Sequence, residues 1–150
     1  MNDSDHPCRA ETRLARPTNG VGLRYDELVR AANASVRSYR PTEAIDLSGE
    51  PDVCFIDVRD AVEVGGMVSG AIHASRGRLE AHLDPDNPRY VRALDDACEL
   101  VFYCASGARS ALAAQRAREL GYGRVRSLDG GYDAWKDVGG PLAGFDDRRW

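Results

Sequence analysis

The segment from Cys104 to Ser110 combines a thiol, small residues and an arginine in a pattern that suits nucleophilic chemistry. It directly follows a short apolar run in the sequence. A loop of small residues, with Gly107 free to adopt a positive φ, lets successive backbone N–H groups point at one spot. A helix that begins after the loop adds the positive end of its dipole, so this spot favours an anion. The amides are expected to come from Ala105, Ser106, Gly107 and Ala108.

Cys104 opens this loop, and its sulfur is the natural occupant of the anion-favouring spot. Only the thiolate is nucleophilic, and a helix N-terminus with a nearby arginine favours the thiolate form. Arg109 is expected to neutralise either an anionic substrate or the thiolate itself. Ser110 either donates its hydroxyl to the sulfur or caps the helix, and the sequence leaves both roles open. The plain structural alternative for Cys104 is a small buried hydrophobe at a strand end.

The length and net charge of the chain indicate the class of protein to which this loop belongs. The chain has 150 residues and a formal net charge of −4, which indicates one domain and argues against a general nucleic-acid-binding surface. The longest apolar stretch runs from Leu100 to Ala105, whereas a membrane span needs roughly 20 residues. We therefore expect no membrane association. No secretory signal is visible, so a cytoplasmic location is the expectation.

The cysteine spacing argues against a metal ribbon or a redox pair. Cysteines stand at positions 8, 54, 98 and 104, without a Cys-x-x-Cys pair. In the reducing compartment expected here, four separate thiols are predicted. Cys98 begins the strand that ends at Cys104, and six extended residues span about 20 Å, beyond the reach of a disulfide. The side chain of Cys54 is expected to pack in the protein interior.

The histidines give no metal signal. His73 and His82 lack a ligand partner at metal spacing, and both are expected at the surface. No metal and no cofactor is predicted.

The pattern of apolar residues predicts the elements that must position the loop. Residues 53–58 and 100–103 are short apolar runs typical of strands that are covered on both faces. Strands that alternate with helices predict an α/β fold with a mainly parallel central sheet flanked by helices on both faces. Ligands bind such sheets at the carboxyl ends of the strands, where Cys104 stands. Further predicted elements are helices over 25–36, 41–47, 110–120 and 132–138, strands over 71–74 and 124–128, and a turn over 65–70.

The predicted organisation has four segments. Residues 1–20 are expected to form a flexible N-terminal tail because they are polar and show no apolar period. Residues 21–48 form an N-terminal helical leader, residues 49–145 the main domain, and residues 146–150 a C-terminal tail.

Three motifs occur in a fixed order along this domain: 55–59 with Glu63 and 70–72, then the loop 103–110, then 128–135. In this order they resemble the rhodanese-like domain family, and residues 25–47 are similar to the leader of its single-domain bacterial sulfurtransferases. Met67 and Ser69 depart from the family pattern, which usually has histidine and proline at these positions. The departure weakens the turn signature and leaves the loop untouched.

The resemblance implies a fold, an activity and a role for the loop cysteine. A rhodanese-like sulfurtransferase moves sulfane sulfur from thiosulfate or a similar small anionic donor to a thiophilic acceptor, cyanide or a thiol. The sulfur would travel as a persulfide on Cys104, which is double-displacement chemistry. Arg109 is the first choice for the donor's sulfonate charge, and Arg76 is a weaker second.

The resemblance also assigns three supporting residues that do not touch the substrate: Asp57, Arg59 and Glu63. Arg59 is expected to pair with Glu63. Asp57 is expected close enough to the loop to hydrogen-bond its amides, with a role as general base as a minority alternative.

Two other functions stay open. One is a non-catalytic rhodanese-like module that carries sulfur or binds a partner. The other is a cysteine phosphatase or arsenate reductase, although related enzymes of those classes place seven residues from cysteine to arginine and this chain places six, Cys104 to Arg109. The physiological donor and acceptor are not encoded in any motif, and both a monomer and a homodimer are compatible with the sequence.

Overall fold

A five-stranded parallel sheet forms the centre of this computed structural model, which describes residues 22–149. Its strands are β1 (Arg37–Tyr39), β2 (Val53–Asp57), β4 (Ile72–His73), β5 (Glu99–Tyr103) and β6 (Val125–Leu128), while β3 (Gly66–Val68) and β7 (Leu142–Gly144) form a separate antiparallel pair. The sheet strands lie in the order β1-β6-β5-β2-β4, and every neighbouring pair is parallel. The predicted mainly parallel sheet is therefore confirmed.

Helices cover both faces of the sheet, as predicted. One face packs against α3 and α4, and α1 packs on α4; the other face packs against α2 and α5. The helices are α1 (Tyr25–Ser35), α2 (Pro41–Ala44), α3 (Leu79–Leu83), α4 (Ala108–Glu119) and α5 (Gly131–Asp137). Single 3-10 turns follow or connect them at Ile45–Leu47, Ala61–Glu63, Arg76–Arg78, Arg92–Asp96 and Asp147–Arg149.

The central strand β5 shows why its sequence forms a strand at all. Leu100 and Phe102 face one hydrophobic core, while Val101 and Tyr103 face the other. Successive side chains of a strand point to opposite faces, so a strand that is buried on both faces needs a continuous apolar run. The run ends at the carboxyl edge of the sheet, where Cys104 begins the loop.

Short elements account for the differences from the sequence prediction. Strand β1 was not predicted, and β3 lies where a turn was predicted, because three residues carry too little periodicity to be recognised. Helix α4 begins at Ala108, two residues before the predicted start. The predicted 41–47 helix consists of α2 and a 3-10 turn. The predicted tail at 1–20 lies outside the described residues.

The prediction that both histidines lie at the surface is wrong. His73 and His82 are each only 7% exposed. His73 Nε2 lies 2.8 Å from the carbonyl oxygen of Arg59, and His82 Nδ1 lies 3.0 Å from that of Arg89. A carbonyl accepts only, so these nitrogens carry the protons, and the hydrogen bonds offset the cost of burying the rings.

A buried ion pair closes the end of β2, and it differs from the expected pairing. Arg59 pairs with Asp57 at 2.7 Å, not with Glu63, and Asp57 is fully buried. The backbone N–H of Arg59 also donates to the Asp57 carboxylate at 3.0 Å. Arg59 further donates to the carbonyl of Gly66 at 2.7 Å, and its guanidinium lies 4.2 Å from the ring centroid of Tyr132. The Asp57 carboxylate therefore accepts hydrogen bonds from Arg59, whereas it was expected to accept them from the loop amides.

This pair generates a prediction about stability. Asp57→Asn should lower the free energy of unfolding by about 3 kcal/mol, because Arg59 would remain charged in a buried site without its counter-charge. Urea denaturation measures the loss. Asp46→Asn, at an exposed aspartate, is the control and should change stability by less than about 0.5 kcal/mol. Equal effects of the two substitutions would show that the buried pair contributes nothing.

Candidate active site

The loop between β5 and α4 turns on one glycine. Gly107 adopts a φ of 114°, a conformation that L side chains rarely take, and it precedes the first residue of α4. Its backbone N–H donates to Cys104 Sγ, with a nitrogen-to-sulfur distance of 3.1 Å. The turn therefore aims one main-chain donor at the sulfur. Of the four loop amides expected to face it, those of Ala105, Ser106 and Ala108 make no hydrogen bond to the sulfur within residues 22–149.

Cys104 is buried, with only 1% of its surface exposed. Its Sγ lies 3.6 Å from the Ser110 hydroxyl oxygen, so a protonated thiol donates to Ser110. Ser110 Oγ also donates to the carbonyl of Gly107 at 3.0 Å and lies 2.9 Å from Ser127 Oγ. Because a hydroxyl rotates freely, the same oxygen can turn its proton to a thiolate.

Of the two roles left open for Ser110, the structure favours contact with the sulfur. The residue that caps α4 is Gly107, which has no side chain, and Ser110 lies inside the helix.

The start of α5 supports the loop through main-chain hydrogen bonds. The N–H of Tyr132 donates to the carbonyl of Cys104 at 2.8 Å, and that of Asp133 donates to Ala105 at 3.2 Å. Gly131 lies so close beneath the loop that a Cβ there would be 2.5 Å from the Cys104 carbonyl oxygen. Gly131 belongs to the 128–135 motif, and its sequence position alone indicated no role for it. The adjacent glycines 130 and 131 were the available signal for such a close backbone approach.

Arg109 and Glu63 form a two-point ion pair beside the loop. The two guanidinium nitrogens of Arg109 donate to the two carboxylate oxygens of Glu63 at 2.7 and 2.9 Å. Glu63 also accepts the backbone N–H of Asp60 at 3.1 Å. Hydrogen bonds from Arg109 lower the pKa of Glu63 to about 2, and Glu63 in turn raises the pKa of Arg109. Glu63 thus binds the loop arginine, whereas it was expected to bind Arg59.

Arg76, the second candidate for anion binding, is bound elsewhere. Its guanidinium donates to Glu80 at 3.0 Å, one helical turn away, and Arg116 approaches the same carboxylate at 3.5 Å. Among residues 22–149, Arg76 has no hydrogen bond or ion pair with the loop.

The other described cysteines differ from Cys104 in place and chemistry. Cys54, Cys98 and Cys104 are free thiols, as predicted, and Cys8 lies outside the described residues. Burial raises the pKa of Cys54 to about 12, so this thiol stays protonated at neutral pH. Cys98 is exposed and precedes β5, at the opposite end of the strand from Cys104.

No group of three or more His, Cys, Asp or Glu side chains within residues 22–149 is placed to hold a metal ion. Within the same residues, every helix is too short or too polar to cross a bilayer.

Comparison with known proteins establishes the family. The family model for the rhodanese-like domain matches residues 40–138. A sulfurtransferase of Allochromatium vinosum is 36% identical over 97 residues, which are 64% of this chain and 83% of the relative. The thiosulfate sulfurtransferase GlpE of Tolumonas auensis is 28% identical over 89 residues, 59% of this chain and 76% of the relative. The chain, with its cysteine loop at the end of a parallel sheet, belongs to the rhodanese-like domain family.

A solved structure supports the same fold. A Rhodopseudomonas palustris protein of unknown function, named as a possible tyrosine phosphatase, superposes with a TM-score of 0.76 at 36% identity. The match covers 85% of this chain and 99% of that protein.

The contact beneath the loop predicts that Gly131→Ala is more damaging than an ordinary substitution of a positive-φ glycine. The added Cβ collides with the backbone of Cys104 and Ala105, which should cost about 1–3 kcal/mol beyond the backbone strain. Gly139→Ala is the matched control, because Gly139 also has a positive φ (76°) but open space around it; strain alone should cost about 1–2 kcal/mol. Urea denaturation and the rate of Cys104 alkylation by iodoacetamide measure both effects. Equal losses and equal alkylation rates would contradict the supporting role of Gly131.

The ion pair beside the loop predicts a pH-dependent contribution to stability. The pKa of Glu63 is depressed from 4.5 to about 2, so the stabilisation is complete above pH 4.5 and is lost as the pH falls towards 2. The melting temperatures of the wild type and Glu63→Gln should therefore differ most at neutral pH and converge near pH 2. The difference will be small because about a third of each side chain is exposed. A difference that stays constant over this range would show that the pair does not form in solution.

Proposed function

We propose that this rhodanese-like protein is a thiosulfate sulfurtransferase that carries sulfane sulfur as a persulfide on Cys104. The observation that supports this most directly is the main-chain donor of Gly107 held 3.1 Å from Cys104 Sγ. A fixed backbone N–H stabilises negative charge on sulfur without reorganisation, both in the resting thiolate and in a terminal persulfide. The A. vinosum and T. auensis relatives, named as sulfurtransferases, support the same class.

The first half-reaction loads the sulfur. The Cys104 thiolate attacks the outer sulfur of thiosulfate, and a new S–S bond forms to Sγ. The bond between the two sulfurs of thiosulfate breaks, and its electron pair leaves with sulfite. The loop residues Ala105 to Ala108 hold the resulting persulfide, with Gly107 as the donor already in place.

Arg109 binds the donor by exchanging partners. In the resting structure its guanidinium is neutralised by Glu63, so the sulfonate oxygens of a donor compete with that carboxylate for the same fork of N–H groups. Arg109 is favoured over Arg76 for this role because Arg109 lies in the first turn of α4, next to Cys104 and Gly107, whereas Arg76 has no hydrogen bond or ion pair with the loop among residues 22–149. The hydroxyl of Ser110, which lies beside the sulfur, is the second side chain expected to contact the donor.

The second half-reaction returns the enzyme to its starting state. Cyanide or a thiolate attacks the outer sulfur of the persulfide, the bond to Sγ breaks, and its electron pair restores the Cys104 thiolate. Cys104 is the protein group on which bonds form and break in this cycle. Asp57, Arg59 and Glu63 support it by holding the chain after β2 and the loop arginine.

Phosphatase chemistry is a second candidate because the R. palustris structure is named as a possible tyrosine phosphatase. The span from Cys104 to Arg109 is six residues, one fewer than in the loops of cysteine phosphatases and arsenate reductases, which favours a single sulfur over a tetrahedral oxyanion. A non-catalytic carrier module would not need both Cys104 and Arg109 at the loop. A cytoplasmic location stays a prediction.

The decisive experiment is intact-mass measurement after incubation with thiosulfate and again after cyanide. Wild type should gain one sulfur atom and lose it to cyanide, and Cys104→Ser should gain none. Cys98→Ser is the matched control, since Cys98 is the exposed cysteine, and it should load like wild type. Loading of Cys104→Ser would refute the proposal. Hydrolysis of p-nitrophenyl phosphate by wild type without sulfur loading would favour the phosphatase instead.

A further inference from the structure

A cavity of about 260 Å³ opens at the carboxyl edge of the sheet, beyond the ends of β2 and β4. The reaction described above leaves this cavity without a role. The polar side chains that line it and carry the argument are Asp60, His73, Arg78, His82 and Asp147.

The two buried histidines present hydrogen-bond acceptors to the cavity. His73 uses Nε2 and His82 uses Nδ1 to donate to backbone carbonyls. A neutral imidazole with its proton fixed on one nitrogen is an acceptor at the other. These other nitrogens have no hydrogen-bond partner among residues 22–149, where no side-chain nitrogen or oxygen is both buried and unpaired. The second ring nitrogen of each histidine must therefore be exposed, and both histidines line this cavity.

The remaining side chains supply both signs of charge. Arg78 is exposed and makes no ion pair with any residue in the described range 22–149, so its guanidinium is available for a carboxylate. Asp60 and Asp147 add carboxylates on the same wall. Together with the imidazole acceptors, these carboxylates suit an ammonium group. A ligand that carries ammonium and carboxylate on one carbon, an α-amino-acid zwitterion, matches this combination.

The register of the sheet gives the separation between the strand that ends at Cys104 and the strand whose His73 lines the cavity. Tyr103, Asp57 and His73 are aligned across β5, β2 and β4. Neighbouring strands lie about 4.8 Å apart, so His73 is about 10 Å from the residue before Cys104. One chain of contacts spans the gap, because Arg109 binds Glu63 and Glu63 accepts the N–H of Asp60 on the cavity wall.

From this arrangement we infer that the cavity is the acceptor subsite, which binds the zwitterionic end of a thiol whose sulfur reaches Cys104 across the two strand spacings, about 10 Å, that separate β4 from β5. Extended chain covers about 3.3–3.6 Å per residue, so the acceptor is a peptide thiol of two or three residues with a free α-amino-acid group at its far end. This inference rests on the proposed function, because it assigns the substrate of the second half-reaction.

The transfer balances without another reactant. The acceptor thiolate attacks the outer sulfur of the Cys104 persulfide, and the new S–S bond carries that sulfur away on the acceptor. The bond to Cys104 Sγ breaks, and its electron pair remains on Sγ as the thiolate.

Acceptor kinetics test the subsite, with glutathione as the probe and thiosulfate as the donor. Arg78→Ala should raise KM for glutathione about tenfold, because a charged hydrogen bond to the carboxylate is lost. KM for 2-mercaptoethanol and for free cysteine should not change, since the first has no zwitterion and the second carries it too near the sulfur. Arg37→Ala, an exposed arginine on the opposite edge strand, is the control and should match wild type. An unchanged KM for glutathione in Arg78→Ala, or an equal rise for all three thiols, would overturn the inference.

A binding measurement separates the subsite from the reaction. S-methylglutathione has no free thiol and cannot accept sulfur, so its affinity by calorimetry reports the cavity alone. Wild type should bind it, and Arg78→Ala should bind about tenfold more weakly. If this difference appears while wild type forms no persulfide, the subsite stands and the proposed function fails. If the persulfide forms while Arg78→Ala binds like wild type, the function stands and the subsite fails.

Discussion

The chemistry proposed for Cys104 needs hydrogen-bond donors that are already in place beside a buried sulfur, and the surrounding structure provides one from the backbone of Gly107. Burial alone would penalise the thiolate, as it does for Cys54. The sulfur of Cys104 is more deeply buried than that of Cys54, but the backbone N–H of Gly107 and the hydroxyl of Ser110 lie beside it. The two thiols therefore differ in the dipoles that surround them.

Those dipoles hold their direction because the loop is fixed from two sides. Strand β5 delivers Cys104 from the most buried part of the sheet. From below, the first turn of α5 donates two N–H groups to the loop carbonyls, which is possible only because Gly131 has no side chain. Carbonyls held in this way cannot rotate towards the sulfur, and the N–H of Gly107 faces it instead.

Charge is distributed around this centre in two separate pairs. Asp57 and Arg59 are buried and join the end of β2 to β3, while Glu63 and Arg109 are partly exposed at the mouth of the loop. The buried pair is structural, because neither charge can leave without exposing the other to a low-dielectric interior. The exposed pair can exchange partners at low cost, which is the property that an anion-binding arginine needs.

Much of this architecture is predictable from local pattern. The apolar runs of β2 and β5, the alternation of strands and helices, and the small-residue loop after β5 predict the parallel sheet and the position of Cys104. Ion-pair partners were beyond prediction, since Arg59 has carboxylates two and four positions away and only the path of the chain selects Asp57. The burial of His73 and His82 was missed for a related reason. Their hydrogen-bond partners are backbone carbonyls, which every residue has, so the amino-acid type does not reveal them.

The sequence by itself thus determined the central strands β2 and β5, the position of Cys104 and the glycine turn that follows it, because these depend on residues adjacent in the chain. Tertiary structure decided which charges pair, what supports the loop, and which side chains line the cavity beyond β4. These groups bring together residues up to 87 positions apart, since Asp60 and Asp147 line the same cavity. They depend on the order and register of the strands, which local sequence does not encode.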